Sequence, residues 1–317
     1  MYNSHTGSIH FPETRLKSGE MNVADYGLVL GGGGARGAAH VGVLTALEEE
    51  GLLPDRIAGA SSGSMVAGLY AAGLGIGEMR EVVRWLTRHG RSYIDPDISG
   101  IILFLPQMLM GRETSLKGLI KGNRLQKFLC SLTNGLGIEG DCKGLLIPAV
   151  DINSGNTVVF TNLFGTDMPF SALKQEYVKW EHKGLLCDII MASSSVPAVF
   201  CPREMNGWLL TDGGVTNNLP VDLLAAAGES RIIAVDVGEE YEKPHDYSII
   251  ETAFHSFSIM SRELKDCRSK EEILLLKPPL PNQAGLLTFG SMEKCMDDGY
   301  IYTKKMMPRI KRVLEKH

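Results

Sequence analysis

The sequence lacks an excess of basic residues and lacks any long apolar run. It has 32 Lys and Arg against 37 Asp and Glu, a net charge of −5 over 317 residues. Nucleic-acid-binding proteins usually show the opposite balance, so the composition argues against a nucleic-acid partner. The longest apolar candidate, residues 98–110, is interrupted by Pro106 and Gln107 and is too short to span a bilayer as a helix.

The sequence also lacks a CxxC pair. Its six cysteines are scattered, at positions 130, 142, 187, 201, 267 and 295. We therefore expect six buried thiols, with no disulfide framework, no zinc site and a reducing compartment. Residues 1–24 contain no apolar signal core, which predicts a flexible N-terminal tail and a cytoplasmic protein. Residues 25–317 show no internal repeat or long linker, which predicts a single domain.

Strand and helix patterns alternate from residue 26 onward. An apolar strand over 26–30 enters a run of glycines, and a helical pattern over 35–50 follows. A second strand, 57–60, leads into a helix that reaches residue 72. Further helices are predicted at 78–88, 116–132 (in two pieces), 185–194, 219–227, 248–269 and 290–315, and further strands at 145–152, 157–161, 208–211 and 231–237. This alternation predicts an α/β fold with a doubly wound, mostly parallel sheet.

The first segment that could carry chemistry is the glycine run of residues 31–37. Consecutive glycines between a strand and a helix expose N–H groups that can bind an oxyanion, and Arg36 adds a positive charge. The same residues fit the Gly-x-Gly-x-x-Gly pattern of dinucleotide sites. That interpretation needs an acidic residue at the end of the second strand, where this chain has Ala60 and Ser61. A purely structural turn is a third interpretation.

The second segment is Gly59-Ala60-Ser61-Ser62-Gly63. A serine between two glycines, after a strand and before a helix, is typical of a nucleophile elbow. The alternative is a tight turn in which Ser61 caps the helix.

The third segment is Asp212-Gly213-Gly214 at the end of a predicted strand. An aspartate in that position can reach across the sheet edge to another loop. The alternative is a simple turn, since Asp-Gly is a common turn pair.

Together these segments resemble the patatin-like phospholipase family. The matching stretches are residues 31–44, 59–64, 192–200 and 212–221, and the similarity extends over about residues 25–240. The resemblance implies a three-layer α/β/α sandwich that hydrolyses acyl esters of lipids with a Ser-Asp dyad and needs no metal or cofactor. Ser61 would be the nucleophile and Asp212 the base. An oxyanion hole would come from Gly32, Gly33, Gly34, Ala35, Arg36 and Gly37, with Gly59, Gly63, Gly213 and Gly214 supporting the turns.

A dyad makes a demand on Asp212. A carboxylate with the reference pKa of about 3.9 is a weak base, so we expect Asp212 to be buried with a raised pKa. A triad is the alternative, and its histidine would follow Asp212 in the chain: His245, His255 or His317. His40, one turn into the first helix, is expected to support the site.

Other features stay open. Residues 98–113 are either a lid or acyl-chain segment or part of the core. The basic C-terminal residues, positions 304, 305, 309, 311, 312 and 316, are either a solvated helix face or a peripheral contact with anionic membrane lipid. The same fold could serve a non-catalytic protein that binds lipid or a partner. The sequence carries no signal for an oligomeric state.

Overall fold

Nine strands organise the part of the chain that the computed structural model describes, residues 23–100, 102, 117–164, 176–238, 249–267 and 271–316. They are β1 (Val23–Leu30), β2 (Leu53–Gly59), β3 (Gly144–Asp151), β4 (Thr157–Thr161), β5 (Val178–Glu181), β6 (Arg203–Met205), β7 (Trp208–Asp212), β8 (Ile232–Val235) and β9 (Leu274–Leu276). The sheet order is β5-β4-β3-β2-β1-β8-β9, and β7 pairs with both β3 and β6. Neighbours run parallel in β1–β2, β1–β8, β2–β3, β4–β5 and β8–β9, so the sheet is mainly parallel, as the sequence predicts.

Helices cover both faces of the sheet. They are α1 (Ala38–Glu48), α2 (Ser62–Ala71), α3 (Ile76–His89), α4 (Asn123–Leu132), α5 (Leu186–Ser193), α6 (Val221–Ala226), α7 (Ile249–Cys267) and α8 (Met292–Lys316). Alternate residues of a strand point to opposite faces. Accordingly Leu28 and Ile57 join the larger core with α1, α2 and α8, whereas Val29 and Ala58 pack with Leu224 of α6. The result is an α/β/α arrangement.

Strand β3 changes partner half-way along its length. It pairs in parallel with β2 as far as Leu146 and antiparallel with β7 from Ala149 onward. Pro148, which has no N–H to donate, lies between the two pairings, where the sequence predicts an irregularity. Because β2 and β7 approach along the same edge of β3 from opposite directions, their carboxyl ends meet. Ser61 follows β2 and Asp212 ends β7, so this change of partner brings the two residues together.

One prediction about local structure is wrong, and three short strands were not predicted. Residues 117–122 form no helix: Ile120 instead bridges to Pro96 and Phe200, and α4 begins only at Asn123. The short strands β5, β6 and β9 are absent from the sequence prediction, because three or four residues carry little periodic signal.

The expectation of six buried thiols is also wrong. Cys130 on α4 and Cys187 on α5 form a disulfide across 57 residues of sequence. Of the four free cysteines, Cys295 is buried, two are half-buried and Cys267 is exposed. The pairing has no sequence signature, because it depends on α4 and α5 packing side by side.

None of the helices in the described ranges is long and apolar enough to cross a bilayer.

Candidate active site

Ser61 occupies a strained position at the start of α2. Its backbone torsions are φ 52° and ψ −127°, a region that residues other than glycine rarely adopt. The residues on either side of the turn must be glycine, because a side chain there would collide with the backbone. A Cβ at Gly59 would collide with the Gly63 backbone, and a Cβ at Gly63 would collide with the Leu30 carbonyl group. This is the strand-turn-helix geometry that the elbow interpretation requires.

Serines at the end of α5 and in α2 hold that backbone in place. The Ser61 N–H donates to Ser193 Oγ at 3.3 Å, and Ser193 Oγ donates to the Pro148 carbonyl at 2.7 Å. The Ser61 carbonyl accepts from Ser194 Oγ at 3.0 Å and from Ser64 Oγ at 2.6 Å. The polar groups of the strained turn are therefore satisfied by side chains that are themselves buried.

The same short segment positions Asp212. The Asp212 N–H donates to the Ser195 carbonyl at 3.0 Å, next to the serines that hold the elbow. Asp212 Oδ1 accepts from the Gly214 N–H at 2.7 Å, and Gly213 lies against the Pro148 carbonyl with no room for a side chain. Asp212 Oδ2 is buried, and no group of the described residues bonds to it with ordinary hydrogen-bond geometry.

Burial raises the pKa of Asp212 to about 7 from an ordinary 3.8. The Ser61 side chain and the Gly214 N–H lower the pKa by hydrogen bonding, but by less than burial raises it. Ser61 and Asp212 line one cleft. A carboxylate with a pKa of about 7 is a far better proton acceptor for a hydroxyl than an exposed one.

The glycine loop divides into two parts. Gly32, Gly33 and Gly34 line the cleft with Ser61. Ala35, Arg36 and Gly37 lie away from it, and the Arg36 guanidinium donates to the Pro281 carbonyl at 3.3 Å. Arg36 is therefore bonded to the Pro281 carbonyl and is not among the residues that line this cleft.

The loop amides also differ in what they bind. The N–H of Gly32 donates to the Asn218 carbonyl at 3.1 Å and that of Ala35 to Gly285 at 3.2 Å. The Gly33 N–H donates to the Ser62 hydroxyl at 3.0 Å. Within the described ranges, the Gly34 N–H donates to no protein group. Gly34 thus offers the free amide of the loop, and Gly33 offers one whose partner is a side chain that can rotate away.

His40 supports this loop from α1. Its Nε2–H donates to the Gly31 carbonyl at 2.8 Å, and complete burial lowers its pKa to about 4. The ring is therefore neutral near pH 7. His255 is not among the residues that line the cleft. His245 and His317, the other histidines considered for a triad, lie outside the described residues. No histidine of the described part bonds to the Asp212 carboxyl.

One wall of the cleft comes from residues that sequence reasoning missed. Helix α7 contributes five of them: Phe257, Ser258, Ser261, Arg262 and Lys265. Val196, Leu286, Asn218 and Gly238 complete the lining beside the glycine loop. The cleft is open to solvent, and the empty space within it and its mouth together is about 690 Å³. Only the helical periodicity of α7 was visible in the sequence, and nothing there indicated which face meets the site.

A family model for patatin-like phospholipases matches residues 28–225. The chain belongs to the patatin-like phospholipase family. Human patatin-like phospholipase domain-containing protein 6 is 27% identical over 87% of this chain. Lysophospholipase NTE1 of Candida albicans is 26% identical over 92% of it. The chain spans only 20% and 21% of those two relatives.

Human GIVD cytosolic phospholipase A2 shares the fold of this patatin-like chain, at a TM-score of 0.50 and 13% identity. The match covers 93% of this chain and 60% of the phospholipase chain. At that identity the likeness concerns the architecture alone, a mainly parallel sheet between helices. The resemblance stated from the sequence motifs is therefore confirmed at the level of family and fold.

Two further expectations concern how this patatin-like chain meets lipid. Most of residues 98–113 lie outside the described residues, but Ile98 and Ile102 at their start are 60% and 65% exposed. Among the basic residues of α8, Lys304 pairs with Glu49 and Glu50, and Lys311 pairs with Glu50. These ion pairs favour the solvated-face interpretation of the C-terminal basic residues.

Proposed function

We propose that this protein is a serine hydrolase of lipid acyl esters, of the phospholipase or lysophospholipase type, and that it works through a Ser61–Asp212 dyad. One observation carries the proposal: a serine in a strained elbow shares a cleft with a buried aspartate whose pKa is about 7. A structural serine needs no such partner, and a structural aspartate needs no unsatisfied buried oxygen.

In the acylation step, Ser61 Oγ attacks the ester carbonyl carbon while its proton passes to Asp212. The Oδ2 atom, which lacks a partner of ordinary geometry, is the free acceptor. As the tetrahedral intermediate collapses, the proton moves to the departing alcohol and the acyl group stays on Ser61. Water then attacks the acyl-serine with Asp212 again as base, and the fatty acid leaves.

The oxyanion of both intermediates would be bound by the glycine loop. Within the described residues the Gly34 N–H donates to no protein group, and the Gly33 N–H becomes available if the Ser62 hydroxyl rotates away. The positive end of α2 points at the same place. Arg36 would contribute by bracing the loop against the Pro281 carbonyl.

The substrate class rests on the relatives and on the cleft. One relative is named a lysophospholipase and another a patatin-like phospholipase. Apolar side chains of Val196, Phe257 and Leu286 line the cleft beside Ser61, which suits an acyl chain. A non-catalytic binding protein would not need an aspartate with a raised pKa beside Ser61.

The test replaces Ser61 with alanine. Alanine at φ 52° bears the same backbone strain as serine, so Ser61→Ala removes the hydroxyl at constant geometry. We expect it to abolish hydrolysis of a p-nitrophenyl ester and of lysophospholipid, and to abolish labelling by a fluorophosphonate probe. Ser131→Ala, which removes an exposed hydroxyl on α4, is the matched control. Turnover that survives in Ser61→Ala would exclude Ser61 as the nucleophile.

A further inference from the structure

Asn218, in the chain segment that follows the Asp212 turn, bonds to both polar groups of Gly32. Its backbone carbonyl accepts the Gly32 N–H at 3.1 Å, and its side-chain Nδ2–H donates to the Gly32 carbonyl at 3.2 Å. Asn218 is half-buried and lines the cleft beside the glycine loop. The proposed acylation and deacylation steps assign no role to its side chain.

The side-chain amide of Asn218 fills the space between the glycine loop and the turn that carries Asp212. A Cβ at Gly32 or at Gly214 would collide with Asn218 Oδ1, so both glycines leave room for the amide. Because backbone encloses the amide from both sides, the amide has little freedom to turn away from the Gly32 carbonyl.

The bond to the Gly32 carbonyl also fixes the direction of the Gly33 N–H. These two groups belong to one planar trans peptide group and point in opposite directions. Asn218 Nδ2 holds the carbonyl end of that group, and Ser62 Oγ accepts from the N–H end at 3.0 Å. A peptide group between two glycines rotates easily, since no side chain restricts its backbone torsions. When the Ser62 hydroxyl rotates away, the bond to Asn218 still holds the carbonyl end.

We infer that Asn218 is a positioning residue for the oxyanion hole: its amide keeps the Gly33 N–H directed at the oxyanion during the reaction. The inference rests on the proposed function and adds a residue outside the dyad and the glycine loop. Asn218 acts through the Gly32–Gly33 peptide group and not on the ester itself. The competing explanation is structural: Asn218 would only tie the segment after β7 to the glycine loop.

Two variants and one control separate these explanations. Asn218→Leu has a similar size but no N–H group. Asn218→Asp keeps the shape and places an acceptor against the Gly32 carbonyl. The control is Asn217→Ala, in which the neighbouring buried asparagine loses its bond to Asp222 Oδ1. Each protein is assayed on a p-nitrophenyl ester, and its stability is measured by urea unfolding.

A pair of inhibitors reports on the oxyanion hole directly. With a trifluoromethyl ketone that carries an alkyl chain, Ser61 Oγ bonds to the carbonyl carbon and the Ser61 proton passes to Asp212. The electron pair of the carbonyl double bond moves to its oxygen, which becomes an oxyanion. The corresponding trifluoromethyl alcohol has the same chain but forms no adduct. The ratio of the two dissociation constants therefore measures oxyanion binding apart from burial of the chain.

Asn218→Leu and Asn218→Asp should each lower kcat by about tenfold to a hundredfold with KM nearly unchanged, because the oxyanion exists only after Ser61 attacks. Affinity for the ketone should fall by the same factor as kcat, while affinity for the alcohol should stay as in the wild type. Asn217→Ala should lose stability in urea but keep the kcat and the ketone affinity of the wild type.

Other results would overturn the inference. Equal losses of ketone and alcohol affinity, a loss carried by KM alone, or failure of both Asn218 variants to fold would assign Asn218 a structural role. Folded Asn218 variants with the kcat of the wild type would show that the Gly33 N–H needs no such support, and the hydrolase proposal would stand. A wild type that neither hydrolyses the ester nor binds the ketone more tightly than the alcohol would refute the proposed function, and this inference with it.

Discussion

Replacing Asp212 with asparagine should inactivate the protein and stabilise it at the same time. Asparagine has almost the same shape, its Oδ1 can still accept the Gly214 N–H, and its amide can face the Ser61 hydroxyl. What it removes is the base and the cost of holding a carboxylate in a buried site. Catalysis and stability should therefore move in opposite directions, as they do where a site stores strain.

The size of the stability gain follows from the pKa of Asp212. The carboxyl has a pKa of about 7 in the folded protein against an ordinary 3.8. Between those values the unfolded chain ionises and the folded chain does not, so the free energy of unfolding falls as pH rises. At about 1.36 kcal/mol per pH unit the full difference is about 4 kcal/mol above pH 7, an upper bound. The Asp212→Asn variant does not lose this stability. Its free energy of unfolding should therefore exceed that of the wild type by an amount that grows from about pH 4 to about pH 7 and then stays constant.

Urea unfolding followed by circular dichroism at several pH values between 5 and 8.5 measures this directly. In parallel, kcat/KM of the wild type on a p-nitrophenyl ester should fall below an apparent pKa of about 7, since protonated Asp212 cannot accept the Ser61 proton. Asp212→Asn should lose a factor of about 10² to 10⁴ in kcat, the range typical of general-base catalysis.

Asp236→Asn is the matched control. Burial alone would raise the pKa of Asp236, but the charge and hydrogen bond of Lys265 outweigh it and lower that pKa. Its contribution is therefore stabilising above the ordinary pKa and is lost as pH falls, so Asp236→Asn should destabilise the protein near pH 7. If Asp212→Asn also destabilises the protein, or if its effect does not change with pH, the view of Asp212 as a base held at a cost is wrong.

Two further predictions concern the support of the site. Reducing the Cys130–Cys187 disulfide, or replacing both cysteines with serine, should lower the free energy of unfolding by about 2–4 kcal/mol in urea titrations, because the bond closes a loop of 57 residues, whereas Cys267→Ser should change little. Burial lowers the pKa of His40 to about 4 from 6.5, so its stabilising contribution is present above pH 6.5 and is lost as pH falls toward 4. The stability advantage of the wild type over His40→Gln in urea should therefore shrink across that window, and a constant difference would contradict a neutral His40.

The sequence predicted the strands and turns that carry Ser61 and Asp212, but it did not predict that α7 lines the cleft. Ser61 follows β2 and Asp212 ends β7, and the sequence indicates both strands by apolar residues that are followed by glycine. Their meeting depends on β3 changing partner near Pro148, and the sequence showed only that something irregular occurs there. Arg262 and Lys265 gave no signal, because charges on an amphipathic helix read as solvated whichever face meets a cleft.

For the glycine loop, the sequence predicted more site residues than the cleft contains. Six residues, Gly32 to Gly37, matched the pattern expected of an oxyanion hole, yet only the first three line the cleft. Arg36 could not be placed from the sequence, because its direction depends on the Pro281 carbonyl 245 residues away. The Cys130–Cys187 disulfide could not be predicted for a related reason: the spacing of cysteines in the sequence does not show which helices pack together.

One short helix, α5, helps to offset the free-energy cost of holding Ser61 and Asp212 in the site. Ser61 holds an unfavourable backbone conformation and Asp212 holds a buried oxygen without an ordinary partner, and each raises the free energy of the folded state. Ser193, Ser194 and Ser195 at the carboxyl end of α5 form hydrogen bonds to both residues, beside those of Ser64 and the Gly214 N–H. The amino end of α5 is fixed by the disulfide at Cys187. A helix fixed at one end can hold the strained Ser61 backbone and the buried Asp212 carboxyl at the other without relaxing, and for this reason a loose α5 should cost activity before it costs the fold.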